Sequence, residues 1–199
     1  RENALPRIVV RNLESGEEHD IAFEEEAYSL GIDSGYEYVT DMMRFSYESP
    51  TTPEETYDYD MSTRERTLRK RQDIPSGHDP SAYVVRRIMA TGHDGVQIPV
   101  TVLYREGTPL DGSAPLMLYG YGSYGITIPA AFRVTPLSLV DRGMIYAVAH
   151  IRGGMANGYQ WYLDGKLEGK INTFRDFLSA GNALVEDGFT TRGNIVAYG

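Results

Sequence analysis

The first 78 residues alternate short hydrophobic runs with turn-forming residues. Runs of about five residues, rich in β-branched and aromatic side chains, recur roughly every ten residues and predict antiparallel strands. No stretch with the 3.6-residue period of a helix interrupts them. The predicted strands are 7–11, 19–23, 27–30, 36–40, 43–47 and 56–60. A meander of this kind forms part of a β-sandwich or one to two blades of a β-propeller.

The hydrophobic pattern changes at Ser81. Two β-prone runs, 83–89 and 98–104, flank a short turn and predict a hairpin. Two continuous apolar runs follow, 115–119 and 144–151, bounded by glycines. Such short apolar runs are typical of strands that are buried on both faces of a sheet.

Two segments around these runs carry helical signals. Residues 137–143 end in a glycine at the position of a helix C-cap. Residues 173–188 end in the same way and have one predicted apolar face, made of Phe174, Phe177, Leu178, Leu184 and Val185. Residues 194–199 begin one more buried strand. The alternation of strands and helices predicts an α/β layer with right-handed crossovers.

Charge is divided unevenly along the chain. Residues 1–80 carry 9 basic and 19 acidic side chains, whereas residues 81–199 carry 10 and 9. The pI near 4.9 argues against nucleic-acid binding, which requires a basic face. No apolar run approaches the ~18 residues that a membrane span needs, so no membrane partner is expected.

One basic cluster lies within the acidic first part of the chain, and it could form an anion or nuclear-localisation patch. Its acidic neighbours favour a solvated strand face instead. The cluster consists of Arg64, Arg66, Arg69, Lys70 and Arg71.

The chain contains no cysteine, which excludes disulfides, cysteine nucleophiles and thiolate metal ligands. A reducing, cytoplasmic location is therefore expected. The histidines lack metal-ligand spacing, and we expect no cofactor and no metal. The sequence begins at Arg1 with neither methionine nor an apolar leader, so we expect it to be a piece of a longer protein.

The segment Gly120-Tyr121-Gly122-Ser123-Tyr124-Gly125 admits three interpretations. It matches the dinucleotide-binding pattern G-x-G-x-x-G, but the β-branched and proline-containing residues 126–129 oppose the helix which that motif requires. The glycines could instead serve only a sharp strand exit. The third interpretation is a ligand-facing loop at the carboxyl edge of the sheet, where hydrolases with an open α/β sheet build part of an oxyanion hole.

Several ordered blocks resemble the prolyl oligopeptidase family of serine peptidases, and within it the oligopeptidase B (protease II) subgroup. The blocks are Leu118 to Gly125, Ala149 to Gly154, Trp161-Tyr162, Asp164-Gly165-Lys166, Lys170, Asn172-Thr173-Phe174 and Asp176-Phe177. The resemblance implies a β-propeller followed by an α/β-hydrolase domain. On that basis residues 1–78 are expected to be the C-terminal part of the propeller, and residues 79–199 the N-terminal half of the hydrolase domain.

The resemblance also implies a function. Family members cleave short peptides through a Ser, Asp and His triad, and the subgroup cleaves after Arg or Lys. Tyr121 matches the tyrosine that donates a hydrogen bond to the oxyanion. The nucleophile of the family lies in a G-x-S-x-G turn after the strand that ends at Gly199, and no such motif occurs in the chain. We therefore expect the triad to lie beyond Gly199 and the chain alone to be inactive.

The expected partners are an oligopeptide substrate and the remainder of the same polypeptide. The alternative is a non-catalytic relative that binds peptides without cleaving them. Two departures from the family pattern indicate a divergent member. Pro129 and Ala131 stand where the subgroup has acidic residues, so the chain lacks the carboxylates that the resemblance associates with a preference for paired basic residues in the substrate. Met155-Ala156 stands where the family has Gly-Glu.

Other polar residues near these blocks have structural explanations. Arg152 is expected to cap carbonyls or to pair with an acid such as Asp176, which is predicted in the first turn of a helix. His150 could act as a general base, but a hydrogen bond at the strand end is favoured, since the base of such hydrolases follows the nucleophile. Trp161 and Tyr162 fit either the rim of a site or the core.

Overall fold

The computed structural model describes residues 1–199, which form three sheets and three α-helices. The first part of the chain contains six strands: β1 Val9–Arg11, β2 Glu18–Asp20, β3 Ser29–Ile32, β4 Met42–Glu48, β5 Glu55–Asp60 and β6 Arg66–Arg71. Strands β1 and β2 form an antiparallel ribbon, and β3 to β6 form a four-stranded antiparallel sheet in chain order. The predicted antiparallel meander is confirmed.

The core of this first part is mainly aromatic. The ring of Phe23 stacks on Tyr47 at 5.0 Å, and the fully buried Phe45 stacks on Tyr57 at 5.4 Å. Every residue of β6 is exposed, and two of its arginines pair with acids of β5. The predicted solvated strand face of the basic cluster is therefore confirmed.

The prediction of a strand over 36–40 is wrong. This segment lies in the loop between β3 and β4, where Tyr36 and Tyr38 are fully exposed. Both edges of β4 are occupied, by β3 and β5. The segment before β4 therefore has no edge of that strand to pair with, whatever its β propensity.

The second part of the chain forms a five-stranded mixed sheet in the order β11-β9-β10-β8-β7. Its strands are β7 Tyr83–Thr91, β8 Gln97–Arg105, β9 Leu116–Tyr119, β10 Ile145–Ala149 and β11 Ile195–Tyr198. The antiparallel pair β7 and β8 is the predicted hairpin. Strands β9, β10 and β11 are parallel, as the strand–helix alternation predicts.

Three helices, α1 Val134–Val140, α2 Tyr159–Leu163 and α3 Lys170–Glu186, accompany the sheet. Helix α1 packs through Leu137 and Val140 on the face that carries Leu103. Helix α3 packs on the opposite face of the sheet. Its Ala180 and Leu184 belong to the hydrophobic cluster formed by the strand residues that alternate with those facing α1. No helix of the chain combines the length and the apolar content needed to span a membrane.

The apolar face predicted for α3 is partly wrong. Phe174 and Leu178 are 58% and 67% exposed. The buried stripe instead runs along Thr173, Asp176, Ala180 and Leu184. A carboxylate occupies this stripe because it pairs with a buried arginine, which a pattern of hydrophobic residues does not indicate.

Candidate functional site

The loop that carries Tyr121 leaves β9 at the carboxyl edge of the sheet. The Gly120 amide donates to the Tyr198 carbonyl at 3.0 Å, so the loop begins directly beside the end of β11. A side chain at Gly199 would overlap the carbonyl oxygen of Gly120. The backbone of the loop and the end of β11 are thus in direct contact.

Tyr121 is 36% exposed, and it lies between two glycines. Gly122 has a φ of +64°, and a side chain there would overlap Thr173 of α3. Only glycine permits this close approach. After Gly125 the chain runs without a helix to Val134, so the element that a dinucleotide-binding motif requires is missing.

Helix α3 holds this loop with its first turn. The Lys170 ammonium donates to the Gly122 carbonyl at 2.6 Å and to the Ser123 hydroxyl at 2.8 Å. The Thr173 hydroxyl donates to the Arg152 carbonyl at 2.8 Å and lies 3.5 Å from the Gly122 carbonyl. None of these hydrogen bonds uses the Tyr121 hydroxyl, which stays available to a ligand.

A second loop follows β10 and contacts the first one. The Gly125 amide donates to the Gly153 carbonyl at 3.0 Å, which joins the two loops backbone to backbone. Met155 is 39% exposed and packs against Gly125, whereas Ala156 is buried in the core. An apolar thioether therefore covers this end of the glycine-rich loop.

The second loop is fixed by a buried ion pair between Arg152 and Asp176. The guanidinium donates through Nε at 2.8 Å and through a terminal nitrogen at 2.6 Å, and the Arg152 amide donates to the same carboxylate at 3.0 Å. The hydrogen bond with Asp176 raises the pKa of Arg152 above its usual value. The predicted pairing is confirmed, but Asp176 lies in the second turn of α3, not in the first.

A second carboxylate, that of Asp94, completes the pairing of this arginine at 2.6 Å. The hydrogen bond from Arg152 lowers the pKa of Asp94. Asp94 comes from the turn between β7 and β8, and nothing in its sequence context indicated this contact. Trp161 lies 5.9 Å from the same guanidinium and donates to the His150 carbonyl, so it belongs to the core.

His150 is buried at the end of β10, where its Nε2 atom lies 2.9 Å from the Thr101 hydroxyl. Burial lowers the pKa of His150 to about 3, so the imidazole is neutral near pH 7. This geometry agrees with the expected hydrogen bond at the strand end. His19 and His78 also bond within the fold, to the Tyr59 hydroxyl and the Thr51 carbonyl. Nowhere do three histidine or carboxylate side chains meet in a metal-binding group.

The buried imidazole makes stability depend on pH. Since the pKa of His150 is lower in the folded chain than in the unfolded one, the unfolded state binds the proton first as the pH falls. Stability should drop by about 1.4 kcal/mol per pH unit between roughly pH 6 and pH 3 from this residue alone. Between pH 6 and pH 4 the urea midpoint of His150→Gln should fall less than that of the parent. His93 lies in a partly exposed turn, so the midpoint of His93→Gln should fall as much as that of the parent. If the stability of the parent and that of His150→Gln depended equally on pH, the buried imidazole of His150 would not be the cause of the pH dependence.

Two family descriptions match the chain. Residues 1–72 match "Prolyl oligopeptidase, N-terminal beta-propeller domain", and residues 130–199 match "Prolyl oligopeptidase family". The glycine-rich loop lies between these two matches, and the second loop, α2, α3 and β11 lie inside the second one.

Known relatives extend over the whole chain. Dipeptidyl aminopeptidase BI of Pseudoxanthomonas mexicana is 44% identical over 100% of this chain and 27% of its own length. Protease 2 of Moraxella lacunata is 36% identical over 100% of the chain and 29% of its length. The structure is similar to oligopeptidase B from Trypanosoma brucei with covalently bound antipain, with a TM-score of 0.88 and 36% identity, over 99% of this chain and 29% of that one. The chain thus spans less than a third of these proteins.

Proposed function

The chain belongs to the prolyl oligopeptidase family of serine peptidases, and on that premise we propose that it is part of a serine oligopeptidase. In this proposal the mixed sheet and its helices are the N-terminal half of an α/β-hydrolase domain. The four-stranded sheet and the β1–β2 ribbon are the last blades of the propeller. The complete protein hydrolyses short peptides through an acyl-enzyme, without a cofactor, in the cytoplasm.

The observation that carries the proposal is the position of Tyr121. Its ring is partly exposed at the carboxyl edge of the sheet, its loop is held from behind by α3, and its hydroxyl takes no part in holding the loop. Attack on a peptide carbonyl concentrates negative charge on the carbonyl oxygen. A fixed hydroxyl donor at that position stabilises the transition state more than the substrate.

The serine that attacks the carbonyl is proposed to follow Gly199 in a G-x-S-x-G turn. The contact of Gly199 with the Gly120 carbonyl supports this, because such a turn needs a glycine where backbones meet closely. The parallel pairing of β11 with β9 directs the next residues toward the Tyr121 loop. The backbone N–H after the serine would be the second oxyanion donor.

Peptides cut after Arg or Lys are the proposed substrates. The excess of acidic residues in the first 80 residues supports this choice, since a negative surface raises the local concentration of cationic peptides. The relative named a dipeptidyl aminopeptidase favours release of N-terminal dipeptides as a second candidate activity. Peptides with free and with blocked N-termini distinguish the two, because only an endopeptidase cleaves both.

The direct test is covalent labelling of the full-length protein with a fluorophosphonate. A serine peptidase should be labelled stoichiometrically at a serine just after Gly199, and a peptidyl-arginine aldehyde should block the labelling. A protein that binds arginine peptides but resists labelling would instead be the non-catalytic relative, which is supported by Met155-Ala156 in place of the family's Gly-Glu. A protein that is not labelled and does not bind arginine peptides would contradict both candidates.

Ionic strength should affect cationic substrates selectively. Because the attraction to the acidic part acts at long range, raising salt from 0.05 to 0.5 M should lower kcat/KM for arginine peptides by roughly three- to tenfold. The rate of labelling by an uncharged fluorophosphonate is the control, and it should change little. Equal kcat/KM at both salt concentrations would contradict electrostatic steering.

A further inference from the structure

The position of the Tyr121 hydroxyl depends on a loop with few hydrogen bonds of its own. Between Gly120 and Ile126 the backbone N–H bonds are those of Gly120 to Tyr198, Gly125 to Gly153 and Ile126 to Ser123. The amides of residues 121–124 donate to no backbone carbonyl. The tip of the loop is therefore held mainly through its carbonyl and hydroxyl oxygens.

Those oxygens are bound by one ammonium group. Lys170, the first residue of α3, donates to the Gly122 carbonyl at 2.6 Å and to the Ser123 hydroxyl at 2.8 Å, and both acceptors follow Tyr121 directly in sequence. Charged donors form stronger hydrogen bonds than neutral ones. The ammonium is partly withdrawn from water, and burial lowers the pKa of Lys170 below its usual value.

The loop has a conformation that needs such support. Gly122 and Tyr124 both have positive φ angles, of +64° and +55°, and for Tyr124 this conformation is unfavourable. The Gly122 carbonyl also lies 3.5 Å from the Thr173 hydroxyl, one turn along α3. Helix α3 is anchored in turn by the buried Asp176–Arg152 pair. Lys170 thus connects a rigid helix to a strained loop.

We propose that Lys170 is a positioning residue for catalysis: by holding the Gly122 carbonyl and the Ser123 hydroxyl, it fixes the Tyr121 hydroxyl where the oxyanion forms. This inference rests on the proposed function. Lys170 itself contacts neither the substrate nor the reacting atoms. Its contribution is the orientation of a donor, which matters in the transition state more than in substrate binding.

The first test compares Lys170→Met with Lys166→Met in the full-length enzyme. Lys170→Met should lower kcat by about tenfold with KM changed by less than about twofold. Lys166→Met should match the parent, because that ammonium lies over the Tyr162 ring and makes no bond to the loop. Lys170→Arg, which keeps a charged donor, should recover most of the loss. Ser123→Ala removes only one acceptor, is less disruptive to folding, and should lower kcat by about two- to threefold.

A double-mutant cycle separates positioning from a general structural role. If Lys170 acts through Tyr121, Lys170→Met should lower kcat by less than about twofold when Tyr121 is already phenylalanine. A full tenfold loss in that background would overturn the Lys170 proposal and leave the peptidase assignment intact. An unchanged kcat for Tyr121→Phe alone would overturn both the oxyanion role and the Lys170 proposal. Absence of fluorophosphonate labelling in the parent would overturn the proposed function itself.

Discussion

Replacing Tyr121 with phenylalanine in the full-length enzyme is expected to lower kcat by about 10²- to 10³-fold, with KM changed by less than about threefold. The substitution removes one hydroxyl and keeps the ring, so packing around the loop is preserved. The lost hydrogen bond is strongest when charge develops on the carbonyl oxygen, and therefore the chemical step should suffer rather than binding.

Tyr124→Phe is the matched control for this experiment. Tyr124 lies in the same loop and is 83% exposed, and its hydroxyl has no assigned role in the chemistry. Its kcat should stay within about twofold of the parent. Steady-state kinetics with an arginine ester and an arginine amide measure both variants. Equal losses of kcat in Tyr121→Phe and Tyr124→Phe would show that any change in the loop lowers kcat, and would contradict a specific role of the Tyr121 hydroxyl.

Removing the carboxylate of Asp176 should be the most destabilising single change at the site. Asp176→Ala is expected to lower the free energy of unfolding by about 3 to 5 kcal/mol, because it leaves a buried guanidinium without its main partner. Arg152 is 3% exposed and Asp176 is fully buried, so water cannot replace the lost bonds. Urea or thermal unfolding of the full-length protein reports the shift.

Asp94→Ala is the control for that measurement, since Asp94 bonds the same guanidinium from a partly exposed turn. Its cost should be about 1 kcal/mol or less, because solvent screens the pair and Asp176 remains. The double variant Arg152→Met/Asp176→Leu should recover much of the stability, since no charge stays buried alone. Equal costs for Asp94→Ala and Asp176→Ala would contradict a dominant role of the buried carboxylate.

The parallel layer could be predicted from the sequence because its signals are local. Residues 115–119 and 144–151 are apolar, short and bounded by glycines, and strands β9 and β10 lie within them. The hairpin of β7 and β8 could be predicted for the same reason, because its sequence signals are also local. The exposed loop around Tyr36 and Tyr38 was predicted wrongly, because β propensity does not reveal whether a strand edge is available for pairing.

Helix α3 shows a different limit of sequence reasoning. Its extent was predicted to within three residues, but its buried face was not. Phe174 and Leu178 are exposed, while Asp176 is buried. Part of that face is an ion pair with Arg152, 24 residues earlier, which hydrophobic periodicity cannot register.

Only part of the candidate site could be predicted from the sequence. Tyr121 was singled out by its glycine neighbours and by family resemblance, and its oxyanion role remains a prediction. The supporting contacts join residues distant in the chain, with 48 positions between Lys170 and Gly122 and 58 between Arg152 and Asp94. Such contacts depend on how the helices and loops pack, and no local pattern specifies them.

The most direct measurement is a crystal structure of the full-length protein with a peptidyl-arginine aldehyde. The aldehyde should form a hemiacetal with the serine that we propose to follow Gly199. The Tyr121 hydroxyl should then lie about 2.7 to 3.1 Å from the hemiacetal oxygen, with Lys170 still bonded to the Gly122 carbonyl. A hemiacetal oxygen held by other donors, with the Tyr121 hydroxyl more than about 4 Å away, would contradict the oxyanion role of Tyr121.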